Sequence, residues 1–382
     1  MLRFLEAGES HGPCLLGIIE GLPAGLTISK ELINLNLQRR QGGYGRGERM
    51  KIELDQVEIL SGLVERKTIG SPLSLMIKNK DWQNWTEKKI PPITIPRPGH
   101  ADFAGAIKYG FTDLREVLER ASARQTAMRV AIGSVAQQFL AEFKLTVLGY
   151  VLRIGQIEGR SITSYQPKNE SEINSSAVYC PDELASRDMC REIDQVRQEG
   201  DTLGGVFEVI ATGVPPGLGS YVQWDRRLDA RLASALMSIP GVKAVEIGEG
   251  IKASQRKGSK VHDEIFISKG SENSLSPYYR KTNRAGGLEG GVTNGETIVT
   301  RAYLKPVPTL VNPLRSVDFA TQKESRATYQ RSDFCVVPAA SVIGEAIVAW
   351  EIANAFLEKF AGDYLSEIKE NYQNYRQRIA QL

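Results

Sequence analysis

Only three histidines occur in the 382 residues, and two of them, His11 and His100, stand on loops that glycine and proline keep out of helix and sheet. His11 lies in A-G-E-S-H-G-P, residues 7–13. There Gly8, Gly12 and Pro13 hold Ser10 and His11 on a turn and leave the imidazole little to pack against. His100 lies in I-P-R-P-G-H-A-D, residues 95–102, three positions after Arg97, and Asp102 is placed to cap a short helix beginning at Phe103. A histidine titrates near neutral pH, and an arginine beside a helix N-terminus attracts anions. The second loop therefore suits an anion and a proton together. A rigid surface turn with a solvated histidine accounts for these residues equally well.

Arginine is the other chemistry-bearing type. Arg39, Arg40, Arg46 and Arg49 surround Q-G-G-Y-G-R-G-E-R, residues 41–49, whose glycines 42, 43, 45 and 47 loosen the backbone. Planar guanidinium forks match phosphate or carboxylate, so such a loop can wrap a small polyanion. A short RNA-binding segment and a merely solvated loop are the rival readings, although one copy with one aromatic is thin support for RNA. No G-K-[ST] follows, which excludes a P-loop, and no catalytic H-R-D marks a kinase. Arg120 and Arg124, four apart, are expected on one side of the start of a long helix, where the macrodipole makes a second anion site. Ion pairs with Glu116 and Glu119 compete with that reading.

Regular elements must position these loops. Alternation marks strands over 2–5, 15–20, 51–59 and 73–77, and later over 146–157, 204–214, 242–247 and 296–304. Helical spacing covers 30–40, through Leu32, Leu35 and Leu37, and about 122–143, through Met128, Ile132, Val135, Phe139 and Phe143. It returns in 182–199, 225–239, an apolar run 339–360 and a polar tail 363–381. Residues 161–180 read as polar loop and 335–337 as a short strand. Asp333, just before that strand, reads by spacing as a salt-bridged aspartate. The expected fold is α+β: one large layered sheet-and-helix domain over 1–382, a β-α-β sandwich, with the resumption of helix–strand alternation hinting at an internal two-fold repeat.

The bulk numbers narrow the class. A net charge of +3 argues against bulk electrostatic binding of nucleic acid. Cys14, Cys180, Cys190 and Cys335 form no C-x-x-C pair and join no carboxylate–histidine cluster, so no metal is expected and a reducing compartment is. No run of about 18 apolar residues reads as a membrane span and no signal peptide is evident, so the expected place is the cytoplasm.

In order along the chain, G-E-S-H-G at 8–12, Q-G-G-Y-G-R-G at 41–47, R-P-G-H-A-D at 97–102 and E-R-A-S-A-R at 119–124 closely resemble chorismate synthase. A-G-G-L-E-G-G at 285–291 and K-P-V-P-T at 305–309 look like the same family, except that Val307 stands where it commonly has threonine. The resemblance implies an anti-1,4 elimination of phosphate from 5-enolpyruvylshikimate 3-phosphate to give chorismate, with reduced FMN as cofactor. It implies an external flavin reductant, with NADPH as indirect source, and a homotetramer with no nucleic-acid or membrane partner. By resemblance His11, His100 and Asp333 are catalytic, and Arg40, Arg46, Arg49, Arg97 and Arg124 bind the substrate or NADP anions. Arg120, Ala121, Ser122, Pro240, Gly241, Gly290, Lys305, Pro306, Val307, Pro308, Thr309 and Arg331 are the implied flavin contacts.

Overall fold

Alternating apolar side chains build the first sheet from β1 (Arg3–Ala7), β2 (Cys14–Glu20), β3 (Val57–Ser61) and β4 (Leu73–Lys78). Its order is β1-β2-β4-β3, antiparallel throughout, and the register Leu15↔Ile77, Gly17↔Leu75, Ile19↔Leu73 puts these residues on one buried face. Two helices cover that face: α1 (Lys30–Gln41) and, beyond the short α2 (Asp102–Tyr109) and α3 (Arg115–Ala121), the apolar α4 (Thr126–Ala141). The computed structural model describes residues 2–47, 54–82, 91–162, 170–267, 276–328 and 333–382.

The second half repeats this plan. β5 (Thr146–Ile154) is followed by α5 (Glu183–Glu199), an addition with no counterpart in the first half, and then by β6 (Gly205–Thr212). α6 (Leu228–Met237), β7 (Val242–Ile247), β8 (Ile298–Leu304) and α7 (Val337–Lys359) complete it, before the tail helix α8 (Leu365–Ile379). The strands run β5-β6-β8-β7, again antiparallel, extended at the β5 edge by Ile157–Glu158. Each half is thus strand, strand, helix, strand, strand, helix, with the fourth strand inserted between the second and third. The two-fold repeat is present in topology without a visible repeat in sequence.

The helices lie between the two sheets, and α4 packs along α7 through residues with no room to spare. A side chain at Gly133 would lie 2.3 Å from the carbonyl oxygen of Ala346, so only glycine permits this approach. Further along, Phe139 of α4 and Phe143 just past its end both meet Phe356 of α7, with ring centres 5.9 and 4.5 Å apart, which shows that α4 and α7 run in the same direction. One continuous hydrophobic core joins both halves. Within it the buried Arg39 donates to both oxygens of Glu345 at 2.7 and 2.9 Å, and Glu345 also accepts from Gly149 N–H and Gln137. Paired and hydrogen-bonded in this way, two charges are tolerated in the interior.

Several expectations are corrected. Leu37 is buried as expected, but Leu32 and Leu35 are exposed and Ile33 is buried in their stead. The long helix does not start at 122: a 3₁₀ turn, Ala123–Gln125, precedes it and Ser122 caps that turn. The strand over 335–337 is a single bridge from Cys335 to Leu203, after which α7 begins. The described part of the polar segment 161–180 contains a short helix, Glu170–Ser175. Contrary to the reading that no segment could span a bilayer, Val337–Lys359 is long and apolar enough by composition, yet 94% of its most apolar window is buried inside the fold.

Candidate active site

The β1–β2 turn carries His11 and is fastened to the end of α3. Glu119 holds this histidine twice, accepting from its backbone N–H at 2.7 Å and from Nδ1 at 2.7 Å. Ser10 donates its backbone N–H to Glu119 O, and its hydroxyl donates to Ser122 Oγ at 3.1 Å. Asn79, at the end of β4, closes the turn by donating to the carbonyls of Glu9 and Gly12. With Nδ1 fixed on a carboxylate, proton exchange falls to Nε2.

Beside this turn, the N-termini of α4 and α7 come together at the C-terminus of α1. Arg40 Nε donates to Thr126 Oγ1, the first residue of α4, and Gly43 packs on Pro338, the second residue of α7. Two positive helix ends therefore adjoin the same arginines. Arg40 is buried, and so is Asp55 between it and Arg124, which donates from Nη1 to both Asp55 oxygens at 2.6 and 2.8 Å. Arg46 pairs with Asp333 at 3.0 Å, and Gly47 N–H donates to the same carboxylate at 2.6 Å. Burial pushes Arg40 down to about 9, with Asp55 opposing and Arg46 and Arg124 adding to the fall, so it is still charged at neutral pH. Arg40 Nη1 and Arg46 Nε are buried with no hydrogen-bond acceptor among the described residues. Buried guanidinium donors left over in this way suit a bound anion.

A second group forms around His100. Asp102 does not cap α2, whose N-cap is Ala101 with no side-chain hydrogen bond. Its carboxylate instead accepts from Arg97 N, Nε and Nη2 at 2.8–3.1 Å and from His100 Nδ1 at 2.5 Å. Arg97 Nη2 also stands 3.0 Å from His100 Nδ1, but the carboxylate can only accept and stands closer, so it sets the tautomer. Burial raises the Asp102 carboxyl, yet the bonds from His100 and Arg97 outweigh it and hold it well below the usual carboxylate range. The Lys305–Thr309 segment runs past this loop. Lys305 Nζ donates to Gly99 O, Pro308 lies against Gly99, and Arg97 Nη1 donates to Thr309 Oγ1 at 3.4 Å. Lys305 N–H bonds Gly241 O at 3.0 Å, which joins the Pro240–Gly241 turn to the same wall. Val307, lacking the family's hydroxyl, contributes a carbonyl that accepts from Thr202. The cleft beside the loop, about 380 Å³, is walled by Pro96, Pro98, Phe103 and Val317 with Arg97 and His100.

The structure thus gathers the sequence-derived residues into two groups with α3 between them. Leu118 of α3 lines a small cavity beside Arg97 and Asp102, and Glu119 reaches His11. Arg120 and Arg124 are not a side-by-side pair: Arg120 ends α3 and donates to Gly8 O, whereas Arg124 sits in the 3₁₀ turn and reaches Asp55 and Asn79. Gly290 forms a separate hairpin turn facing Tyr221. Arg49 and Arg331 lie outside the described residues. The glycine loop is seated on the core, with Gly45 against Cys335 and Tyr44 bonded to Asp194, which is not how a solvent-displayed RNA-binding segment is held. Sequence reading missed the carboxylates Asp55 and Glu119 as partners of the arginines and the histidine. No group of three metal-ligating side chains occurs among the described residues.

With this geometry in hand, comparison with known proteins is decisive. Residues 2–357 match the family model described as chorismate synthase. Chorismate synthase of Geotalea daltonii is 54% identical over 386 residues, covering 98% of each chain, and that of Geobacter metallireducens is 55% identical over 388 residues. A crystal structure of chorismate synthase superposes with a TM-score of 0.81 at 42% identity, covering 100% of this chain and 99% of that one.

Proposed function

The chain belongs to the chorismate synthase family, and from that premise we propose which of its residues carry the reaction. The enzyme is a lyase that eliminates phosphate from 5-enolpyruvylshikimate 3-phosphate to give chorismate, and it requires reduced FMN. When bound, reduced FMN supplies the electron density that helps the carbon–oxygen bond to phosphate break. Its holders in this reading are Arg120–Ser122, Pro240–Gly241, Gly290, Lys305–Thr309 and Arg331.

The observation that carries the assignment is the cluster of the buried Arg40 with the part-buried Arg46 and Arg124 at two convergent helix ends. Arg40, Arg46 and Arg124 bind the substrate's phosphate and stabilise the charge that grows on it as it departs, and the family resemblance gives Arg49 the same task. Arg97 serves a carboxylate of the substrate. His11 and His100, each fixed at Nδ1 by a carboxylate, give or take a proton at Nε2. Asp333 accepts the ring proton, held ready by Gly47 N–H and by Arg46.

The enzyme is further proposed to be a homotetramer in the cytoplasm, supplied with reduced flavin by an outside reductant drawing on NADPH. Support for self-association is the outer face of the first sheet, where Leu5, Leu16 and Ile18 lie exposed beside one another. Anaerobic turnover of the phosphorylated substrate with reduced FMN tests the site assignment. Wild-type protein should turn over, and Arg46→Ala should lose about tenfold or more in kcat/KM. An Arg46→Ala enzyme as good as wild type would remove Arg46 from the site.

A further inference from the structure

We propose that Asp55 is the resident counter-ion of the arginine cradle, a positioning residue that fixes Arg40 and Arg124 and keeps the cradle from retaining the phosphate it sets free. This rests on the assignment of that cradle to the substrate's phosphate. Asp55 is 5% exposed and stands just before β3, where its N–H donates to Gln41 Oε1 at the end of α1. Its carboxylate accepts from Arg124 Nη1 and lies 3.6 Å from Arg40 Nη1, so one negative charge serves two buried guanidiniums. Arg46 has a carboxylate of its own in Asp333. Among the described residues the three arginines thus share two carboxylates.

Two consequences follow from charge alone. Without Asp55, Arg40 and Arg124 would repel each other at low dielectric and lose their common anchor. The site would also carry one more positive charge, and any compact dianion would be held more tightly. Free phosphate is a product, so a cradle that grips it too well turns over slowly even when it binds substrate well. Asp55 therefore belongs to release and selectivity, whereas the arginines belong to capture.

The test uses inorganic phosphate as the probe, measured as a competitive inhibitor of the anaerobic reaction and by direct titration. Asp55→Asn, close in size, should bind phosphate about tenfold more tightly, the scale of one partly screened charge, with a lower kcat. Asp55→Glu, which keeps the charge, should bind it within a few-fold of wild type. A folded Asp55→Asn protein whose phosphate affinity is unchanged or weaker overturns the proposal, provided Arg46→Ala weakens phosphate binding. If Arg46→Ala leaves phosphate binding untouched, the cradle assignment itself fails. Should Asn at this position not fold, Asp55→Ser is measured in the same way. Loss of the fold in both assigns Asp55 to structure alone and also overturns the proposal.

Discussion

At the scale of single residues, the site works through carboxylates that hold cations rather than through cations alone. Glu119 fixes His11, Asp102 fixes His100 and Arg97, and Asp333 fixes Arg46. His11→Ala and His100→Ala should each lower kcat by about two to four orders of magnitude in the anaerobic assay, the usual worth of general acid–base catalysis. Near-wild-type kcat in either variant would strike that histidine from the mechanism. Asp333→Asn can still accept from Gly47 N–H but cannot take a proton. Substrate affinity should stay within a few-fold while kcat falls roughly a hundredfold. Asp102 carries a pH signature as well. Its folded carboxyl is held below the ordinary value, so its stabilisation is present above the ordinary carboxylate range and is lost as pH falls through the folded value. The melting temperature of Asp102→Asn should lie below wild type at pH 7, and the gap should narrow toward strongly acid pH. A gap that does not change with pH would mean that Asp102 stabilises by packing only.

At the scale of elements, the glycine loop that follows α1 is where backbone and chemistry meet. Gly45 has φ +90, and a Cβ there would lie 3.0 Å from Cys335, while its carbonyl accepts from Phe334 N–H. Gly45→Ala should displace Arg46 from Asp333 and lower kcat/KM by about tenfold, with the far-ultraviolet spectrum unchanged. An unimpaired variant would show that the loop tolerates the shift. The sequence made the loops readable because glycine, proline, histidine and arginine are informative by type. It also yielded most strands of both sheets, since their buried faces alternate. What escaped it depended on distant pairing. Nothing local says that Asp55 meets Arg124, 69 positions away, or that Asp102 turns back to Arg97 instead of capping its own helix. The exposed Leu32 and Leu35 misled the helical pattern because α1 packs through Ile33 and Leu37, and its buried end is made of Arg39, Arg40 and Gln41.

At the scale of the whole molecule, two topologically equal halves place α4 and α7 side by side with both N-termini at the arginines. Only one end of this arrangement is functional, because the aromatic residues Phe139, Phe143, Phe356, Phe360 and Tyr372 fill the other. Burial pushes the thiol of Cys335, beside the start of α7, up to about 12, and that of Cys180 up to about 11. Groups raised in this way add stability that is complete below the ordinary thiol range near 9 and is lost as pH rises through the folded values. Thermal unfolding should therefore move to lower temperature between about pH 9 and 12, and Cys335→Ala should make that decline shallower. An identical decline in wild type and variant would place the titration elsewhere. On the outer face of the first sheet, Ile18→Lys should shift sedimentation toward smaller species, and an unchanged species would show that this face is not an interface.

The position of α7 also bears on how the protein comes into being. With α1 and α4 it fills the space between both sheets, yet at residues 337–359 it follows every strand of both, so a ribosome delivers it after them. Until then the groove that will receive its twenty buried residues stays open to whatever else is apolar in the cell. A chain ending at residue 336 would be a client for chaperones and proteases rather than a smaller enzyme, despite carrying both histidines, Asp333 and every arginine of the site.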